Sequence, residues 1–238
     1  MRLFSALLLA LFIGCGKQVT TTSSSLDSSK ILANCPAGAH DPDSIDELVV
    51  MINSLPKPMT ADCFLKSLKR PLYVNASSST MSVQPADGDK NPRIFIFKGN
   101  LILTLVPNGE GSLVLEFSEL KNDVRSFKGE VVLPVTKTLA PADPYVRTIN
   151  GSQTTCKGCH ASEQPEFKIG NVQIYSSKAL KPSPGMDVPL SNLSYELYLC
   201  DFKKDYSKRC DFYRALLNFG EVHPINFPAD MPTLLDSF

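Results

Sequence analysis

The stretch "TTCKGCHASE" places two cysteines, Cys156 and Cys159, in the spacing CxxC, with His160 directly after the second. Three chemistries use thiols and imidazole in this arrangement. The thiols can cycle with a disulfide, or bind zinc with added ligands, or add to two porphyrin vinyl groups while the histidine gives iron a nitrogen. In the last case the two intervening residues set the reach between the vinyls, and the neighbours Gly158 and Ala161 are small. Zinc needs two more ligands, and nothing in the sequence pairs His40 or His223 for that role. A redox CxxC expects a βαβ setting, whereas this one follows a loop. A bridge between Cys156 and Cys159 closes a short, strained loop.

The compartment bears on the choice. The chain opens "MRLFSALLLALFIGC", with Arg2 as a basic n-region and an apolar run from Leu3 to Ile13. That is the pattern of an export signal, too short to span a bilayer. The segment resembles the lipobox of bacterial lipoproteins. The resemblance implies a signal peptide over 1–14, lipid on Cys15, and a membrane anchor through that lipid. The following "KQVTTTSSSLDSSK" is too polar to bury a core, so 15–34 reads as a flexible tether to the cell envelope.

Of seven cysteines, Cys35, Cys63, Cys200 and Cys210 remain once Cys15 goes to lipid and two to the motif. An even remainder in an exported chain reads as two disulfides. Of the possible pairings, Cys35–Cys63 and Cys200–Cys210 close the shortest loops. A four-cysteine metal site would lack the paired CxxC knuckles of structural zinc. Apolar content of 43% supports a core, and 24 basic residues against 24 acidic ones argue against a nucleic-acid partner.

The elements that must position the motif are of two kinds. "DPDSIDELVVMINSL" predicts a helix capped by Ser44, with Ile45, Leu48, Val49 and Ile52 on one face. "TADCFLKSLKR" predicts a second, short helix. "RIFIF", "LILTLV", "SLVLEFS" and "GEVVLPV" predict strands, with Asn108-Gly109 as a hairpin signal. "LSNLSYELYLC" and "RCDFYRALLNFG" predict helices in the last third. The expected fold is therefore α+β: a short N-terminal helical segment and a central antiparallel β meander or sandwich within 35–149, then a mainly helical haem c region over 150–238.

The CKGCH run resembles the attachment motif of c-type cytochromes. The resemblance covers residues 156–160 and implies one covalent haem c, with thioethers at Cys156 and Cys159 and His160 as the proximal iron ligand. Small cytochromes of this type often use a downstream methionine as the sixth ligand, frequently followed by proline. Met231, before Pro232, fits that pattern best; Met186 in "SPGMDVPL" and His223 in "EVHPINFP" are the alternatives. The expected function is haem binding and electron transfer to a periplasmic redox protein. The competing expectation is a β-rich binding or scaffold lipoprotein in which haem senses a ligand or serves structure, because residues 35–135 are surplus to electron carriage.

Overall fold

The computed structural model describes residues 32–82, 84–204 and 207–237. The signal peptide, Cys15 and nearly all of the tether lie outside the described residues. The first helix, α1, runs Ile45–Ser54 and starts as the sequence dictates: Ser44 Oγ accepts from Glu47 N at 3.3 Å, with Asp46 and Glu47 in the first turn. The chain also caps it from the sheet, where a Glu119 carboxylate accepts from Ile45 N at 2.7 Å. Helix α2, Ala61–Ser67, carries Cys63, which is bonded to Cys35.

Five strands follow in a consecutive antiparallel meander: β1 (Leu72–Ser77), β2 (Arg93–Lys98), β3 (Leu101–Leu105), β4 (Val114–Asn122) and β5 (Arg125–Val132). Alternation along them sorts two faces. Ile94, Ile96, Leu101, Leu103, Leu105 and Leu115 enter the main core under the helices. Phe95, Ile102, Glu116, Ser118 and Lys128 fall on the other face, which borders a cavity. Gly129 pairs with Phe117 in register, and a Cβ there would meet the Phe117 ring at 2.5 Å.

The last third departs from expectation. It is not a helical haem region set beside a meander. After a one-turn helix α3 (Asp143–Val146), a small hairpin of β6 (Ile149–Asn150) and β7 (Gln153–Thr154) leads into a 3-10 turn, Thr155–Gly158, that carries Cys156. Strands β8 (Gln164–Ile169) and β9 (Val172–Lys178) then extend the sheet, β9 pairing with β5. Helices α4 (Leu190–Tyr198) and α5 (Lys208–Leu217) come next, joined by the Cys200–Cys210 disulfide. Strand β10, Val222–Pro224, closes the far edge parallel to β1. The result is one mixed sheet in the order β10-β1-β2-β3-β4-β5-β9-β8 with short helices, so residues 150–238 are not mainly helical and the sheet is not a pure antiparallel meander.

The physical reason is visible in the residues. "EFKIGNVQIY" is a β-hairpin: Gly170 takes φ +58° between Ile169 and Val172, which pair across a two-residue loop. Helices α4 and α5 each keep a buried stripe, Leu193 on the first and Phe212, Tyr213, Ala215 and Leu216 on the second, and α5 packs on α2. They cover the sheet face opposite the motif. Among the described residues no helix is long and apolar enough to cross a membrane.

Candidate functional site: a cavity under the CxxCH turn

Cys156, Cys159 and His160 are placed by the turn between β7 and β8. Cys159 N and His160 N both donate to Cys156 O, at 3.1 and 2.8 Å, which draws the two thiol-bearing residues and the imidazole onto one tight turn. The turn is tied back through Thr155 N, which donates at 2.8 Å to Thr148 O in the bend just ahead of β6. Both cysteines are free thiols, Cys156 half-buried and Cys159 exposed.

The histidine ring has a fixed tautomer. Nδ1 lies 2.8 Å from Lys178 O, and because a carbonyl only accepts, Nδ1 must carry the proton. That leaves Nε2 as the ring's ligand atom, oriented by a backbone carbonyl in the way metal-bound histidines commonly are. Burial holds the His160 pKa well below the usual histidine range, with the nearby Lys128 charge adding to the effect, so the ring is neutral at neutral pH. Burial likewise raises the Cys156 thiol, opposed by Lys128 and by a hydrogen bond from Thr154.

All three residues line one cavity, together with Met231. The methionine comes from the far end of the chain, and its segment is strapped down by Lys181. The Lys181 amide donates to Pro232 O at 2.9 Å, and its ammonium donates to Ala229 O at 2.7 Å. Met231 is buried against Phe95, Ile102 and Ala179, flanked by Phe227, whose ring meets Phe95 and Phe97 edge-on at 5.0 Å each. The other two candidates for a sixth ligand are elsewhere. Met186 is exposed, its carbonyl accepting from Ser78 N at 2.8 Å. His223 is exposed on β10, against Tyr73 and 3.2 Å from a Glu221 carboxylate. Neither lines the cavity.

Sequence reasoning missed two features of the cavity. Met81, in the polar "SSSTMSVQPADGDK" loop, stands exposed at its rim, and nothing in that loop marked it. The floor is charged: Arg93 pairs with Glu116 at 2.7 Å, and Glu130, opposite Glu116 in register, pairs with Arg147 at 2.9 Å. Burial raises the Glu130 carboxyl, opposed by Arg147, and lowers Lys128 to about 8. The alternation of Glu116 and Ser118 with Leu115 and Phe117 reads as a solvated strand face; only the roof, built from distant chain, makes it a cavity floor.

The donors present fit a covalent porphyrin: two free thiols, a neutral imidazole with Nε2 available, and a buried thioether among aromatic rings. Among the described residues no group of three or more His, Cys, Asp or Glu is gathered for a metal ion. The chain thus defines a class by geometry: a helix-backed mixed sheet whose open face carries a Cys-Cys-His turn over an aromatic and methionine-lined cavity. Comparison with protein-family models, with curated proteins and with solved structures finds no match to this chain.

Proposed function

We propose that the chain is an exported, lipid-anchored, mono-haem c-type cytochrome-like protein that passes electrons to a redox partner at the bacterial cell envelope. The observation that carries the reading is the convergence on one cavity of the local Cys156, Cys159 and His160 turn with Met231, which lies far downstream in sequence. Cys156 and Cys159 would hold the haem by thioethers, and His160 Nε2 and Met231 Sδ would serve as iron ligands. When bound, the haem supplies the one-electron couple, and histidine–methionine ligation with burial raises its potential. The protein's own part is to orient the imidazole through Lys178 O, keep water from the apolar end, and set the field with the Arg93–Glu116 floor.

One further observation supports the setting. Cys35–Cys63 and Cys200–Cys210 are bridged, which suits an oxidising compartment, while the motif thiols stay free. The cavity holds about 160 Å³, below the roughly 300–1,000 Å³ of small-molecule sites. A porphyrin seated here therefore requires the rim at Ser79–Ser82 and Leu234 to part. The deciding experiment is expression in a host with haem-attachment machinery, followed by intact mass and a pyridine haemochrome spectrum. A mass gain of one haem is expected; colourless protein with both thiols free or bridged to each other ends the proposal.

The charged floor favours a second reading, in which the iron keeps an open position and the β-rich body is a sensor or binding module. Carbon monoxide separates the two. A shift of the ferrous spectrum on its addition supports the sensor, and an unshifted low-spin spectrum supports the carrier.

A further inference from the structure

We propose that Arg125 and Glu163, neither of which lines the main cavity, are positioning residues that lock the CxxCH turn so that His160 faces the cavity before haem arrives. The inference rests on the haem reading. Ser162 has φ +61°, the one left-handed non-glycine among the described residues, two places after His160. A side chain in that region is disfavoured and persists only where surroundings over-determine it.

Here they do so on both shoulders of the turn. Arg125 Nη2 donates to Ser162 O at 3.0 Å and to Ser176 O at 2.9 Å, and Arg125 Nε donates to Ser176 Oγ at 3.1 Å. The guanidinium thus pins the left-handed residue to β9. Two residues before Cys156, Thr154 N donates to Glu163 Oε1 at 3.0 Å, and Thr154 Oγ1 donates to the other carboxylate oxygen. The carboxylate ties the strand entering the turn to the strand leaving it. Arg125 pairs in register with Lys178, whose carbonyl orients the His160 ring and whose amide donates to Ala161 O at 3.2 Å. One rung of β5 and β9 therefore sets the position of the histidine and the bend that follows it.

The test uses full-length protein from a host with haem-attachment machinery, read by covalent haem per chain and by the low-spin fraction of the loaded protein. Arg125→Met is expected to lower both, with haem loading down about ten-fold, the scale at which outer partners of metal ligands act. Ser162→Gly in the Arg125→Met background is expected to restore the low-spin spectrum, because glycine adopts positive φ without strain. Glu163→Gln keeps one acceptor oxygen and should lose less than Glu163→Ala; this pair decides the matter if Arg125→Met does not fold. Wild-type loading and spectrum in Arg125→Met, or a loss that Ser162→Gly leaves unchanged, overturns the clamp while leaving the haem reading intact. A wild-type chain that takes up no haem overturns both.

Discussion

Met231 is both a buried packing residue and a sixth-ligand candidate, and substitutions can separate the roles. Met231→Leu conserves apolar volume and should cost under about 1.5 kcal/mol of stability while abolishing any methionine–iron absorption band. Met231→Ala should lose the band and also about 2–5 kcal/mol, measured by denaturant unfolding. Met186→Leu and His223→Gln, both away from the cavity, should leave the spectrum unchanged. Lys128 gives a pH-dependent prediction. Its folded pKa, lowered by burial to about 8, lies below the free-lysine value of 10.5, so the unfolded chain binds more protons between those values. Stability of the haem-free protein therefore rises with pH across that window, as the cost of burying the charge fades. Lys128→Met should raise the melting temperature at pH 7, with the gain shrinking as pH climbs from 8 towards 10.5. An unchanged difference across that range would mean that Lys128 stays charged and well solvated. The candidate residues Cys156, Cys159 and His160 were legible because the CxxCH spacing is local. Which methionine joins them was legible only as a Met-Pro dipeptide, and the Arg93–Glu116 floor not at all, since neither strand hints at what will cover it.

At the scale of elements, local signals and distant pairings fared differently. Ser44, the Ile45–Ile52 stripe and the β-branched runs from Arg93 to Val132 each carry their own instruction, and they form the helix and strands they spell. Leu113 shows the limit: alternation groups it with Leu115 and Phe117, yet it sits exposed in a 3-10 turn opened by Gly109 at φ +76°. The β8–β9 hairpin is absent from the expected fold although Gly170-Asn171 marks its turn; its strands alternate weakly, with Glu166 and Lys168 on β8, while the apolar runs after them spell helices. The parallel pairing of β10 with β1 has no local signal; it depends on α5 returning the chain. Arg70 is the residue that fixes that return. It donates to Leu216 O at 2.6 Å and Ala215 O at 2.7 Å, filling orphan carbonyls at the end of α5, and its stem lies against Gly220. Arg70→Met should destabilise by about 1.5–3 kcal/mol per lost charged hydrogen bond at most. Arg70→Lys should recover little, because an ammonium cannot reproduce the planar fork. Thermal unfolding of the two variants, side by side, checks the claim.

At the scale of the whole molecule, the site is a product of the sheet and not of the motif's own segment. Cytochrome-like reasoning treats residues 150–238 as a self-sufficient haem unit. The structure gives that segment the turn, the β8–β9 hairpin and Met231, but gives the floor beneath them to β2, β3, β4 and β5. His160 is oriented by β9, which leans on β5, and Met231 rests on Phe95 and Ile102 of β2 and β3. Among the described residues, strand β10 pairs only with β1. A fragment of 150–238 would expose the face that these strands cover and leave Met231 without Phe95, Ile102 and Phe97. Expressed alone with haem-attachment machinery, it should take up covalent haem poorly, since it lacks Arg125, and show a high-spin or mixed spectrum, because ligation by Met231 needs the floor. Full-length protein should show a low-spin spectrum and a single cooperative melt. A fragment that is folded by circular dichroism and low-spin by absorption would show that the strands from Leu72 to Val132 serve some purpose other than completing the haem site.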